Sequence, residues 1–391
     1  MTEIDSSVRR RAVLTGIGVA LSGCVGGDER AEQTPPADDE REPLSGSWPM
    51  FARDAANTGY ISDIEGPYTE ISREWTFETG SAVTASPAIV NDTVYASSTD
   101  GTVYAIGPYD GTEIWSFETD GPVTTTPAVI DDRLYVGSGD EYLYALDANE
   151  GTEQWRFNAG DRIDSSPTVD GGSVYIGSVK NDVFAVDRAS GEQQWRFSTG
   201  GSVFNAPAVS AGTVYVGSSD RNVYALAADD GTEQWAFGTR GAIGASPTVI
   251  NETVYIGSRD NTVYGIGAAS GEEQWSFDVA EQVQSSPAVT DETLFIGSND
   301  GFVYAIERGI DDPEGRWRFS TGGPVIGMPV ATETHVFVAS RSGNVFAIRP
   351  EDGEIVWQVE IDSEIQAGPV VTEEWLYFGG TGGSIYALSS G

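Results

Sequence analysis

The sequence predicts an all-β fold: an eight-bladed β-propeller of four-stranded antiparallel blades, its last blade completed 3+1 by the N-terminal strand. Three observations predict it. Tryptophan recurs at Trp75, Trp115, Trp155, Trp195, Trp235, Trp275, Trp317 and Trp357, a spacing of 40 residues with a single step of 42. Prolines (Pro87, Pro127, Pro167, Pro207, Pro247, Pro287, Pro329, Pro369) and aromatics (Tyr104, Tyr144, Phe184, Tyr224, Tyr264, Tyr304, Phe346, Tyr386) keep the same step. Each interval holds four short β-branched or aromatic runs divided by Gly, Asn, Asp and Ser. A fixed period marks a repeat architecture, and four strands per period is the propeller blade pattern.

Taken from the N-terminus, residues 1–23 read as an export signal. A polar stretch ends in Arg9-Arg10-Arg11, and the apolar run Ala12 to Leu21 follows. That run is about half of the ~20 residues a spanning helix needs. The arginine pair Arg9-Arg10 resembles a twin-arginine signal. Leu21-Ser22-Gly23-Cys24 resembles a lipobox, and Cys24 is the only thiol in the chain, so Cys24 is the expected lipid anchor. Residues 24–47 are acidic and Pro-bearing, with almost no large apolar side chain, and read as a flexible tether reaching at most ~70 Å. The expected location is the outer face of the cell membrane.

Residues 48–391 form the expected propeller. In the unit from Ser246 to Phe277, Ser-Pro-Thr-Val-Ile, Thr-Val-Tyr-Ile-Gly-Ser, Thr-Val-Tyr-Gly-Ile-Gly and Glu-Glu-Gln-Trp-Ser-Phe are successive strands joined by tight turns. The first repeat opens on an outer strand around Trp75, and the last stops at a third strand around Tyr386. Residues 72–78 must therefore pair with 383–389, which also protects both edges. Each repeat tryptophan falls on an outer strand, where its indole can lie flat across the Gly-containing turn of the neighbouring blade.

The stretches Ala145-Leu-Asp-Ala-Asn-Glu-Gly-Thr-Glu-Gln-Trp155 and Ala185-Val-Asp-Arg-Ala-Ser-Gly-Glu-Gln-Gln-Trp195, with Val-Tyr-x-Gly-Ser-x-Asp, resemble the tryptophan-docking motif of the pyrroloquinoline-quinone (PQQ) propeller repeat. The resemblance covers about residues 71–389. It implies either of two branches, the quinoprotein dehydrogenases or non-enzymatic assembly lipoproteins of the BamB type. Trp48-Pro49-Met50-Phe51-Ala52-Arg53-Asp54 ahead of Asn57-Thr58-Gly59-Tyr60 resembles the opening segment of the BamB-like branch.

Composition narrows the partners. Sixty Asp plus Glu against 21 Lys plus Arg give a net charge of −39, so nucleic acid, itself a polyanion, is not an expected partner. Lys180 is the only lysine. Acidity with almost no lysine resembles proteins of salt-loving archaea, in which surface carboxylates serve solubility, so the charge does not by itself indicate a cationic partner. One Cys and one His leave few soft metal ligands.

Chain direction assigns the loops to two faces. One face, with the first-to-second and third-to-fourth connections, is acidic. The other gathers Arg162, Lys180, Arg221, Arg240, Arg259 and Arg341. The residues three before each proline (Thr84, Thr124, Asp164, Phe204, Gly244, Gln284, Ile326 and Gln366) point to the central channel and break the repeat. Asp164 and Phe204 join the six cations as the candidate binding face.

No catalytic, cofactor or metal residue is assigned. A quinoprotein needs an adjacent cysteine pair and a calcium shell of 6–8 oxygens, and Asp164 is the only carboxylate among the channel residues. His335 reads as an exposed strand residue rather than a general base. The expected function is a non-enzymatic, lipid-anchored scaffold for an unidentified protein partner, with no cofactor. A PQQ-dependent dehydrogenase and a small-ligand or carbohydrate-binding module are the alternatives.

Overall fold

A computed structural model of the chain describes residues 44–67, 71–308 and 315–390. The signal segment with Arg9, Arg10 and Cys24 lies outside the described residues. Eight sheets follow one another around a ring. We number them as blades 1–8 from the inner strands Ala88–Val90, Ala128–Ile130, Thr168–Asp170, Ala208–Ser210, Thr248–Ile250, Ala288–Val289, Val330–Thr332 and Val370–Val371. Blade 5 shows the plan: Thr248–Ile250, Thr253–Gly257, Thr262–Gly267 and Glu273–Asp278 pair antiparallel in order. The second and third strands are buried almost throughout, while the outer strand alternates buried and exposed residues. This is the signature of strands packed between blades inside and half-solvated at the rim.

The ring closes as the sequence predicts. Ile71–Glu78 pairs antiparallel with Ser384–Ser390, from Ile71↔Ser390 to Glu78↔Ser384, and supplies the outer strand of blade 8. The indoles also lie where expected. Trp75 Nε1 donates to Pro108 O at 2.8 Å, Trp115 to Ala148 O at 2.8 Å and Trp195 to Ala228 O at 2.8 Å, each reaching the next blade. Trp155, Trp235, Trp317 and Trp357 donate to Arg188, Ala268, Pro350 and Pro67. Gly111, Gly151, Gly191, Gly231, Gly271 and Gly353 all have positive φ, and a Cβ there would press into the indole. Both demands select glycine.

A second device holds the turn between the second and third strands. In blades 1, 2, 4, 5 and 6 an aspartate (Asp100, Asp140, Asp220, Asp260, Asp300) accepts the N–H two residues on and the hydroxyl of Tyr104, Tyr144, Tyr224, Tyr264 or Tyr304. Burial first, reinforced by that aspartate, pushes Tyr104, Tyr224 and Tyr264 up to about 12. An unfolded tyrosine titrates near ~10. Because the folded values are the higher ones, this stability is complete below about pH 10 and drains away as pH rises through about 12. Alkaline titration followed by phenolate absorbance should show these tyrosines ionising together with unfolding. Tyr104→Phe should remove one group from that transition, and ionisation near pH 10 without loss of structure would refute the clamp.

Candidate functional site

The inner strands of a propeller present an unpaired edge to the central channel, and such an edge must be covered. Residues 48–61 cover it. Trp48 exchanges hydrogen bonds with Ile89 in blade 1, and the N–H groups of Val129, Val209, Val249, Val289 and Ala331 donate to the carbonyls of Pro49, Ala55, Ala56, Thr58 and Gly59. Tyr60–Ile61 then adds as a parallel strand to blade 7. The Trp48 indole, 2% exposed, donates to Val371 O in blade 8. Asn57 is buried near the axis, its amide donating to Pro207 O at 3.1 Å and Pro247 O at 3.0 Å. The channel is thereby stoppered at one end, with Phe51 in the floor of what remains.

What remains is a funnel of about 180 Å³. Thr84, Thr124, Asp164, Phe204, Gly244, Gln284, Ile326 and Gln366 all line it, so the eight channel positions predicted from the sequence converge on one cavity. Below them, Ser166, Ser246 and Ser286 accept the N–H groups of Thr126, Ala206 and Ser246 from the preceding blade. This hydroxyl staple holds the walls in register. Two other hollows lie on the acidic face, one of about 230 Å³ beside Tyr60, Asp291, Glu292 and Arg316 and one of about 570 Å³ beside His335, Ile355 and Val356. Each draws on a few neighbouring segments, whereas the funnel gathers the least repetitive residue of every blade.

The funnel opens on the cation-bearing face, because the turns carrying those cations bond to the loops that lead into its walls: Val179 N–H to Arg162 O, Arg259 N–H to Ala242 O and Arg341 N–H to Pro324 O. Arg162 pairs with Asp164 at 2.6 Å, and Thr124 donates to the other oxygen of that carboxylate at 3.1 Å. Arg259 donates to Gln284 Oε1 at 3.1 Å. Arg341 pairs with Glu364 and holds that carboxyl below its usual range, while Gln366 donates to the same group. Lys180, Arg221 and Arg240 are exposed on the rim and make no ion pair among the described residues. Among the described residues, Phe204, 37% exposed, is the large apolar side chain at the mouth left open to water.

His335 is not exposed, contrary to the sequence expectation. It is 7% exposed, its ring tilted against Phe337 with centroids 5.7 Å apart, and Nδ1 lies 2.8 Å from Thr334 Oγ1. Burial pushes its pKa below the ordinary value. The cause is the segment around Glu65, which the 40-residue repeat does not contain and which covers this strand start. Sequence reasoning also missed the stopper itself. The one signal for it was the unmet edge of eight inner strands.

The family described as outer membrane protein assembly factor BamB matches residues 72–162, 139–248, 237–325 and 309–391, and the chain belongs to that family. No curated protein matches it. Among solved structures, BamB from Moraxella catarrhalis is similar at 20% identity and a TM-score of 0.69, over 82% of this chain and 100% of that one. Quinohemoprotein alcohol dehydrogenase from Comamonas testosteroni is similar at 15% identity and 0.76, over 88% and 80%. A computationally designed protein, Ika8, is similar at 15% identity and 0.74, over 81% and 99%. The expectation that this chain is not an enzyme is thereby overturned, because a dehydrogenase shares its fold at a higher TM-score than BamB does.

Proposed function

We propose that the protein is an exported, membrane-tethered binding platform that engages its partner at the open mouth of the funnel. The convergence of eight non-repeating side chains on one stoppered cavity carries this reading. Residues released from the packing demands of a repeat are free to specialise, and here they share one mouth with three exposed cations, Lys180, Arg221 and Arg240, that make no ion pair among the described residues. Membership of a family described by an assembly factor supports a binding role. The Arg9-Arg10 signal and the Cys24 lipobox supply the export route and the tether, and composition points to a saline exterior.

The test is photocrosslinking on intact membranes. A crosslinking residue at position 204 should give a discrete adduct, and one at position 352 on the acidic face should give none. Adducts from position 352 alone would overturn the assignment of the mouth.

The shared fold favours a second reading, redox catalysis on a bound quinone. The donor set does not fit a calcium-held quinone. Asp164 is already paired with Arg162, and no three His, Cys, Asp or Glu side chains gather among the described residues. Dye reduction with added PQQ and calcium, across a panel of alcohols and sugars, decides between the readings.

A further inference from the structure

Three departures from the repeat cluster on blades 3–5. Position 180 is the first. Its counterparts in blades 1, 2, 4, 5 and 6 are the clamping aspartates, yet here it is lysine, and the tyrosine those aspartates bind is replaced by Phe184. Asp182, two residues on, is buried, 2.7 Å from Arg196 and accepting from Ser198 Oγ at 2.6 Å, both on the outer strand. This turn therefore carries an exposed ammonium where five other blades carry a carboxylate.

Position 221 is the second. Its counterparts Gly101, Gly301, Gly343 and Gly383 are glycine, Asn181 and Asn261 are asparagine and Glu141 is glutamate, all on a left-handed backbone. Arg221 holds φ +79°, a conformation that disfavours a long side chain. Arg240 is the third, the one cation at a position filled elsewhere by Gly80, Gly160, Gly200, Gly322, Asp120, Ala280 and Asp362. Lys180, Arg221 and Arg240 thus place one unpaired cation on each of blades 3, 4 and 5, with Arg259 beside them and Phe204 between. Of the carboxylates on these blades, Asp164 is ion-paired with Arg162, Asp161 accepts the Arg162 N–H, and Asp220 and Asp260 accept their tyrosine hydroxyls. Among the described residues, Arg341 is the cation on the rest of the rim, and it is paired with Glu364.

We propose that this crescent binds an acidic polysaccharide, a polymer of uronic-acid or similarly charged sugars, with Phe204 as the platform for a sugar ring. The proposal rests on the mouth being the working end. Cations on three successive blades cannot converge on one small anion, but they match charges recurring along a polymer. In the saline exterior proposed above, the screening length falls to ~3 Å at 1 M salt, so the crescent acts only on charges in direct contact and is insulated from the net charge of −39. An extended peptide ordinarily adds main-chain hydrogen bonds to a free strand edge, and the inner edges of blades 4 and 5 are bonded to Ala55 and Ala56. A glycan needs no such edge.

Lys180→Asp with Arg221→Gly restores the residues of the other blades, so the double variant should fold at least as well as the parent. Binding of polygalacturonate, poly-glutamate and neutral dextran is measured by titration calorimetry in a buffer in which circular dichroism shows the fold intact. Polygalacturonate should bind at least tenfold tighter than either control. The double variant should lose about tenfold with an undiminished melting temperature, and Phe204→Thr should weaken polygalacturonate alone. No preference over dextran, equal binding of poly-glutamate, or full affinity in the double variant each overturns the crescent. If crosslinks from position 204 persist while polygalacturonate fails, the platform stands and the glycan assignment falls. If those crosslinks are absent as well, the mouth itself is wrong.

Discussion

Replacing Trp195 with alanine is expected to destabilise the propeller by about 3–5 kcal/mol, read as a shift of the denaturant midpoint at unchanged slope. The indole is 6% exposed, donates to Ala228 O in blade 4 and packs at 5.9 Å from Tyr175 in its own blade. Truncation opens a cavity between two blades and orphans a carbonyl. In a ring whose units touch only their neighbours, one weakened interface is felt by the whole closure. The partner of the indole is Gly231, where a Cβ would lie 2.7 Å from the ring on a backbone at φ +71°. Gly231→Ala should therefore destabilise too, but less in the Trp195→Ala background, because the cavity then accepts the methyl. Strictly additive costs in that double-mutant cycle would show that ring and glycine do not form one joint.

Most of the fold was legible because a repeat multiplies its own signal. One tryptophan on a strand says little, but eight in step fix the outer strands, the turns beneath them and the missing strand that closes the ring. The channel residues were legible for the opposite reason. Asp164, Phe204 and Gln284 stand out against a fixed background, and counting back from each proline places them on one wall. What stayed hidden lies outside the period. The stopper at 48–61 has no copy to compare with, and most of its bonds are main-chain carbonyls accepting blade N–H groups, which carry no side-chain signature. Asn57 and Gly59 are required by left-handed turns and, at Gly59, by a Cβ that would collide with Met328. His335 was misplaced because a segment distant in sequence covers it. Which charges of the cation face are neutralised depends on pairings such as Arg162–Asp164 and Arg341–Glu364, which a repeat position alone does not reveal.

The closure itself supplies the other large effect. Ser72 and Ser389 are registered partners across the seam, and Cys24 is the only native thiol. With Cys24→Ser in the background, Ser72→Cys plus Ser389→Cys should oxidise to a disulfide that ties the first repeat strand to the last. The covalent loop would run through all eight blades, so the unfolded chain loses much of its freedom, and the expected stabilisation is about 4–5 kcal/mol. Chemical denaturation with and without reductant measures it directly. Register makes the test specific. Leu388 pairs with Arg73, and a shift of one residue turns a side chain to the other face of the sheet. Ser72→Cys with Leu388→Cys should accordingly fail to crosslink. Equal oxidation of both pairs would mean that the seam slides. A crosslink without any stability gain would mean that the two ends stay together in the unfolded ensemble, leaving the seam no entropy to remove.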